Sequence, residues 1–117
     1  MTLTVYGISN CDSVRKARRW LDAAGVAYRF HDFRKDGTPG EALAGWMRER
    51  PWEDVINRRS SSWKTLPEAD RESMDTKTAI AAATATPTLI KRPVLDGDGI
   101  LEFGFDEARY AALLAER

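Results

Sequence analysis

The first 33 residues read as strand, helix and strand, and that order constrains the chain more than any other feature. "LTVYGI" (Leu3 to Ile8) is rich in β-branched and aromatic residues, as expected of a buried strand. "NCDS" is a turn-forming cluster in which Asp12 and Ser13 are both able to cap a helix. Val14, Ala17, Leu21 and Ala24 then recur at helical spacing, Arg15, Lys16, Arg18 and Arg19 take the other faces, and Gly25 suits a left-handed cap. "VAYRFHDF" alternates Val26, Tyr28 and Phe30 against Ala27, Arg29 and His31, the pattern of a second strand. Strands joined through a helix pair in parallel by a right-handed crossover.

The middle of the chain carries helical patterns and no convincing strand. "EALAGWMRER" predicts one helix, "PWEDVINRRSSSW" a turn or short helix, "LPEADRESM" a proline-started helical turn, and "DTKTAIAAAT" another helix capped by Asp75. Beyond it "TLIKRPVL" and "ILEF" flank "DGDG", a hairpin signal. A last helix starts at Asp106, with Phe105 and Tyr110 placed as a hydrophobic staple and Leu113 and Leu114 continuing the apolar stripe. The expected order is β-α-β, a helical insertion over about 39–84, then β-β-α. Length suits one domain, 1–117, with no internal repeat or linker.

Charge narrows the function classes. Lysine plus arginine and aspartate plus glutamate both number 18, so direct nucleic-acid or anionic-membrane binding is not expected. No apolar run reaches membrane-spanning length, and "MTLTVYGISN" carries no secretory signal pattern. One cysteine permits no internal disulfide, and no Cys/His cluster points to a metal; a reducing, cytoplasmic setting is expected.

That cysteine, Cys11, comes between the first strand and first helix, where unpaired N–H groups and the helix dipole stabilise negative charge. A thiolate there is an activated nucleophile; a small buried residue is the alternative, and the segment alone admits both. Arg58 and Arg59 sit in a polar stretch where solvated charge is the ordinary role. Arg92, in a strand-like run, needs a carboxylate, an anion or solvent, and Pro93 after it marks a sheet edge or irregularity. His31, the single histidine, is expected to pack or hydrogen-bond rather than serve Cys11 as a base. The four tryptophans, Trp20, Trp46, Trp52 and Trp63, are expected to pack the insertion and helix faces.

"YGISNCDSVRKARRWL", "FHDFRKDG", "NRRSSSWKTL" and "LIKRPVLD" together resemble the ArsC/Spx family of thioredoxin-like proteins, and within it the YffB-type glutathione-dependent thiol reductases. The resemblance covers nearly the whole chain. It implies a thioredoxin-like α/β fold with a mixed four-stranded sheet and an all-helical insertion between the second and third strands. It also implies that Cys11 is the nucleophile, that Arg58 lowers its pKa and binds an oxyanion, that Arg92 is a second oxyanion-binding arginine, and that Pro93 is cis beside the cysteine. Asn10, Asp12 and Ser13 then belong to the loop that receives the substrate. The implied activity is single-cysteine thiol reduction with glutathione as co-substrate and no bound cofactor. Arsenate reduction with glutathione and glutaredoxin, and an Spx-like regulator binding RNA polymerase, are the alternatives. Two departures matter. The third arginine of arsenate reductases corresponds here to Gly104, and the second cysteine of the Spx redox switch corresponds to Val14.

Overall fold

The computed structural model describes residues 3–115. These form two compact units, one made of the residues up to Asp36 with those from Arg92 onward, the other of Gly37–Lys91.

The first unit contains a four-stranded mixed sheet in the order β2-β1-β3-β4, with β1 Leu3–Gly7, β2 Tyr28–Asp32, β3 Val94–Gly97 and β4 Ile100–Phe103. β1 runs parallel to β2 and antiparallel to β3, and β3 runs antiparallel to β4. The crossover between β1 and β2 is α1, Asp12–Ala23, whose stripe of Val14, Ala17 and Leu21 is fully buried. Burying Leu21 alone contributes about 1.5–3 kcal/mol. Gly25, at φ +71, ends α1: its N–H bonds the Asp22 carbonyl and the Val26 N–H bonds that of Leu21, which satisfies two orphan carbonyls in a Schellman motif.

Three local readings change. The second strand is shorter than "VAYRFHDF", because Phe33 opens a helical turn, α2 Phe33–Asp36. α1 is capped by Cys11, not by Asp12 or Ser13, which are its first two residues. "TLIKRPVL" is not one strand. Pro87–Leu89 form a 3-10 turn, Ile90 makes an isolated bridge, and β3 begins only at Val94. Pro93 lacks an N–H, so the ladder cannot run through it. The hairpin itself closes through Asp98 and Gly99, both at positive φ, the two-residue loop that suits the strand twist.

The second unit holds α3 Gly40–Glu49, α4 Trp52–Val55, α5 Ser61–Lys64, α6 Glu68–Glu72 and α7 Thr76–Ala85, and contributes no strand to the sheet. Leu43, Trp46 and Met47 of α3, Val55, Ala79 and Ala83 are buried in it. Asp75 caps α7 in a reciprocal box with Thr78. Trp52 and Trp63 stack with ring centres 5.9 Å apart.

The last helix, α8 Glu107–Leu114 in the first unit, is capped by Asp106, which accepts from the Arg109 N–H. Phe105 meets Tyr110 edge-on at 4.8 Å, closing the expected staple. Tyr110 and Leu114 join Leu3, Val5, Ala17, Leu21, Leu95 and Ile100 in the core, and Trp20 packs against Tyr110. The Tyr110 hydroxyl is buried without a hydrogen-bond partner among the described residues, and burial, with the Glu102 charge, pushes its pKa up. An unsatisfied buried hydroxyl costs about 1–3 kcal/mol. Tyr110→Phe should therefore stabilise the fold by about 1 kcal/mol, read as a higher urea midpoint with an unchanged slope. A lower midpoint would mean the hydroxyl is satisfied.

Candidate active site

Gly7 ends β1 and Asp12 begins α1, so Ile8 to Cys11 must reverse the chain in four residues. The Cys11 N–H bonds the Ile8 carbonyl at 3.2 Å, and the Cys11 carbonyl accepts from the Arg15 N–H at 3.0 Å. Cys11 is thus the residue from which α1 grows. Its extended backbone (φ −85°, ψ 128°) is the geometry in which an N-cap side chain faces the first-turn N–H groups.

No side-chain hydrogen bond closes this end of α1, and a cysteine holds the position that a serine or aspartate ordinarily takes. Burial of the half-buried thiol pushes its pKa up. The Val14 N–H, the Arg92 guanidinium and the Ser13 N–H outweigh that effect and hold Cys11 below an ordinary thiol. Of these, Arg92 is the one that brings a full positive charge to the thiol.

Three of the four basic residues of α1 are engaged elsewhere, and the fourth, Arg19, is exposed. Arg15 and Lys16 reach Asp12 at 3.8 and 3.3 Å, while Arg18 donates to the Tyr28 hydroxyl and lies 4.0 Å from the Phe30 ring centre. Asp12 is exposed beside these partners, Ser13 is exposed, and Asn10 accepts at its Oδ1 from Arg34 Nη1 at 3.4 Å. Pro93 is buried, the Arg92–Pro93 bond is cis, and the Pro93 carbonyl accepts from the Gly104 N–H at 2.8 Å. His31 packs between the rings of Tyr6 and Phe33, with centres 5.0 and 6.0 Å away.

Cys11, Asn10, Asp12, Ser13, Arg92 and Pro93 all belong to the first unit, whereas Arg58 belongs to the second. There it is one of the two central residues of a turn, Asn57 to Ser60. Asn57 Oδ1 accepts from the Arg59 N–H, the Asn57 carbonyl accepts from Ser60, and Ser60 caps α5. This turn lifts Arg58 and Arg59 to the surface, with Arg58 5.8 Å from the Trp52 ring centre. They line a cleft of about 670 Å³ with Lys91 and Asn57, and Glu53 is the one acid there.

The chain matches the ArsC family over residues 6–113. It belongs to the ArsC family. The structure of the YFFB (PA3664) protein is similar to this ArsC-family chain at 42% identity and a TM-score of 0.91, covering 97% of this chain and 99% of the other. An arsenate reductase (ArsC) related protein from Brucella melitensis is 41% identical with a TM-score of 0.77, over 100% and 97% of the two chains. The Global transcriptional regulator Spx of Streptococcus agalactiae is 28% identical over 96% of this chain and 82% of its own. The fold of the ArsC-family chain is thioredoxin-like, with the helical segment between β2 and β3.

Two features of this site escaped the sequence reading. The first is that Cys11 itself holds the N-cap position, which composition cannot distinguish from capping by Asp12 one position later. The second is Arg34, 24 residues from the Asn10 side chain it meets. The Asp-x-Arg spacing of "HDFRKDG" marks a local turn, but nothing in it points back to Asn10.

Proposed function

We propose that this chain is a monothiol oxidoreductase in which the Cys11 thiolate reduces a disulfide or mixed disulfide at the expense of glutathione. The observation that carries the reading is the half-buried sulfur at the head of α1, its charge stabilised by the Val14 and Ser13 N–H groups and by Arg92. The thiolate attacks one sulfur of RS–SR; the S–S bond breaks, a Cys11–S–SR bond forms, and RS⁻ leaves to take a proton from solvent. A glutathione thiolate then attacks the R-side sulfur, releasing Cys11 as thiolate and RS–SG as product. The chain has a single cysteine, so the second thiol must come from outside. Arg92 binds a carboxylate of the co-substrate, and a reducing cytoplasmic setting keeps Cys11 in its working form.

Arsenate reduction is the weaker reading. Gly104 stands at the third-arginine position with φ +85, a left-handed backbone that favours glycine. An arginine there would carry a conformational cost of about 1–2 kcal/mol. The Spx likeness supports a regulatory alternative in which the chain binds RNA polymerase, and Val14 in place of a second cysteine separates it from a disulfide switch.

The deciding experiment supplies a glutathione mixed disulfide, glutathione and a coupled glutathione reductase, with mass spectrometry of the quenched protein. Turnover with a glutathione adduct on Cys11 is expected. Absence of both, with Cys11 still alkylated readily at neutral pH, would overturn the reading. Capture of polymerase subunits by the Cys11→Ser protein would then favour the regulator.

A further inference from the structure

β2 ends at Asp32, a carboxylate only 4% exposed. A buried carboxylate must be hydrogen-bonded, and Asp32 Oδ1 accepts from the Arg34 N–H at 2.8 Å. Four residues on, Asp36 Oδ2 accepts from the Asp32 N–H at 3.0 Å. Both acids of this turn are thus engaged by backbone N–H groups. The exposed Arg34 side chain forms an ion pair with neither, nor with any other described carboxylate. Its Nη1 reaches instead to Asn10 Oδ1, on the residue next to Cys11.

A guanidinium has donors only, so it decides which end of the Asn10 amide faces it, leaving both Nδ2 hydrogens available on the other side. The outcome is a guanidinium lacking a counter-charge and an oriented amide donor beside the nucleophile. Such a planar fork matches a carboxylate in two parallel hydrogen bonds.

We propose that Arg34 is a specificity residue of the Cys11 site: its guanidinium binds a carboxylate of the molecule that reacts with Cys11, and it holds the Asn10 amide toward the same ligand. The proposal rests on the thiol-reductase reading for the identity of that molecule, but carboxylate recruitment to Cys11 is measurable without turnover.

Wild type, Arg34→Ala and Arg34→Lys are compared in two pairs of rates. One pair is Cys11 alkylation by iodoacetate, which carries a carboxylate, and by neutral iodoacetamide. The other is mixed-disulfide formation with glutathione disulfide and with cystamine, which has no carboxylate. In Arg34→Ala both carboxylate-to-control ratios should fall about threefold to fivefold, the worth of one exposed ion pair. Arg34→Lys should retain part of the ratio, and the difference should shrink in 1 M salt, where the screening length is about 3 Å. Ratios equal to wild type overturn the proposal, whether the individual rates are unchanged or all slow together as in a structural defect. If wild-type Cys11 reacts with neither disulfide faster than a free thiol, the reductase reading fails, and the alkylation ratio alone still decides the role of Arg34.

Discussion

Cys11→Ser is expected to abolish turnover, and Arg92→Met to leave a folded protein whose Cys11 reacts only at higher pH. The serine hydroxyl does not ionise near neutrality, and the chain holds no other thiol to replace it. In the methionine variant the burial that pushes the thiol up remains, along with the Val14 and Ser13 N–H groups, but the guanidinium that lowers its pKa is gone. The midpoint of iodoacetamide alkylation against pH should rise relative to wild type, whose thiol is held below its ordinary value. Turnover at pH 7 should fall about tenfold to a hundredfold, the worth of one charge-assisted hydrogen bond. An unmoved midpoint would remove Arg92 from the site. The same depressed pKa has a stability consequence. The folded protein releases the Cys11 proton at lower pH than the unfolded chain, so its contribution is fully present above the unfolded pKa and disappears as pH falls through the folded one. Wild type should therefore gain stability over Cys11→Ser as pH rises through that window.

Gly7→Ala should cost about 2–3 kcal/mol, at the upper end of overpacking effects. Gly7 is buried at the end of β1, and an added Cβ would come 2.6 Å from Val14 Cγ2 and 3.4 Å from its Cγ1. Valine is branched at Cβ and has no flexible end to swing aside, so β1 and the first turn of α1 would have to separate. Val14 carries the N–H that stabilises the thiolate, and that separation should also raise the Cys11 alkylation midpoint. A lowered urea midpoint together with a raised alkylation midpoint is the expected pair. Adding Val14→Ala to Gly7→Ala should recover part of the loss, because the two changes act on one contact. Additive losses would show that the contact does not limit the approach of strand and helix.

Legibility along the chain follows the range of the forces involved. The α1 stripe, the Gly25 stop, the Asp75 and Asp106 caps, the Phe105–Tyr110 staple and the Asp98-Gly99 loop rest on neighbours within about one helical turn, and each is readable from spacing. "TLIKRPVL" was misleading because apolar β-branched composition is shared by strands, 3-10 turns and bridges. The missing N–H of Pro93 and the pairing of Val94 with Tyr6 decide where the ladder begins.

By itself the sequence determined the strand-helix-strand opening, the helical segment before the hairpin, the family, and the placement of one thiol at a strand-to-helix turn. Those depend on periodicity, capping chemistry and motif order, all local along the chain. Tertiary structure alone decided that Cys11 holds the N-cap position of α1, that Arg92, 81 positions later in the sequence, supplies the charge while Arg15 and Arg18 of α1 turn to Asp12, Tyr28 and Phe30, and that Arg34 meets Asn10. Stabilising a thiolate takes donors within a few ångströms, and only the paired strands β1, β2 and β3 bring such distant residues to one end of the sheet.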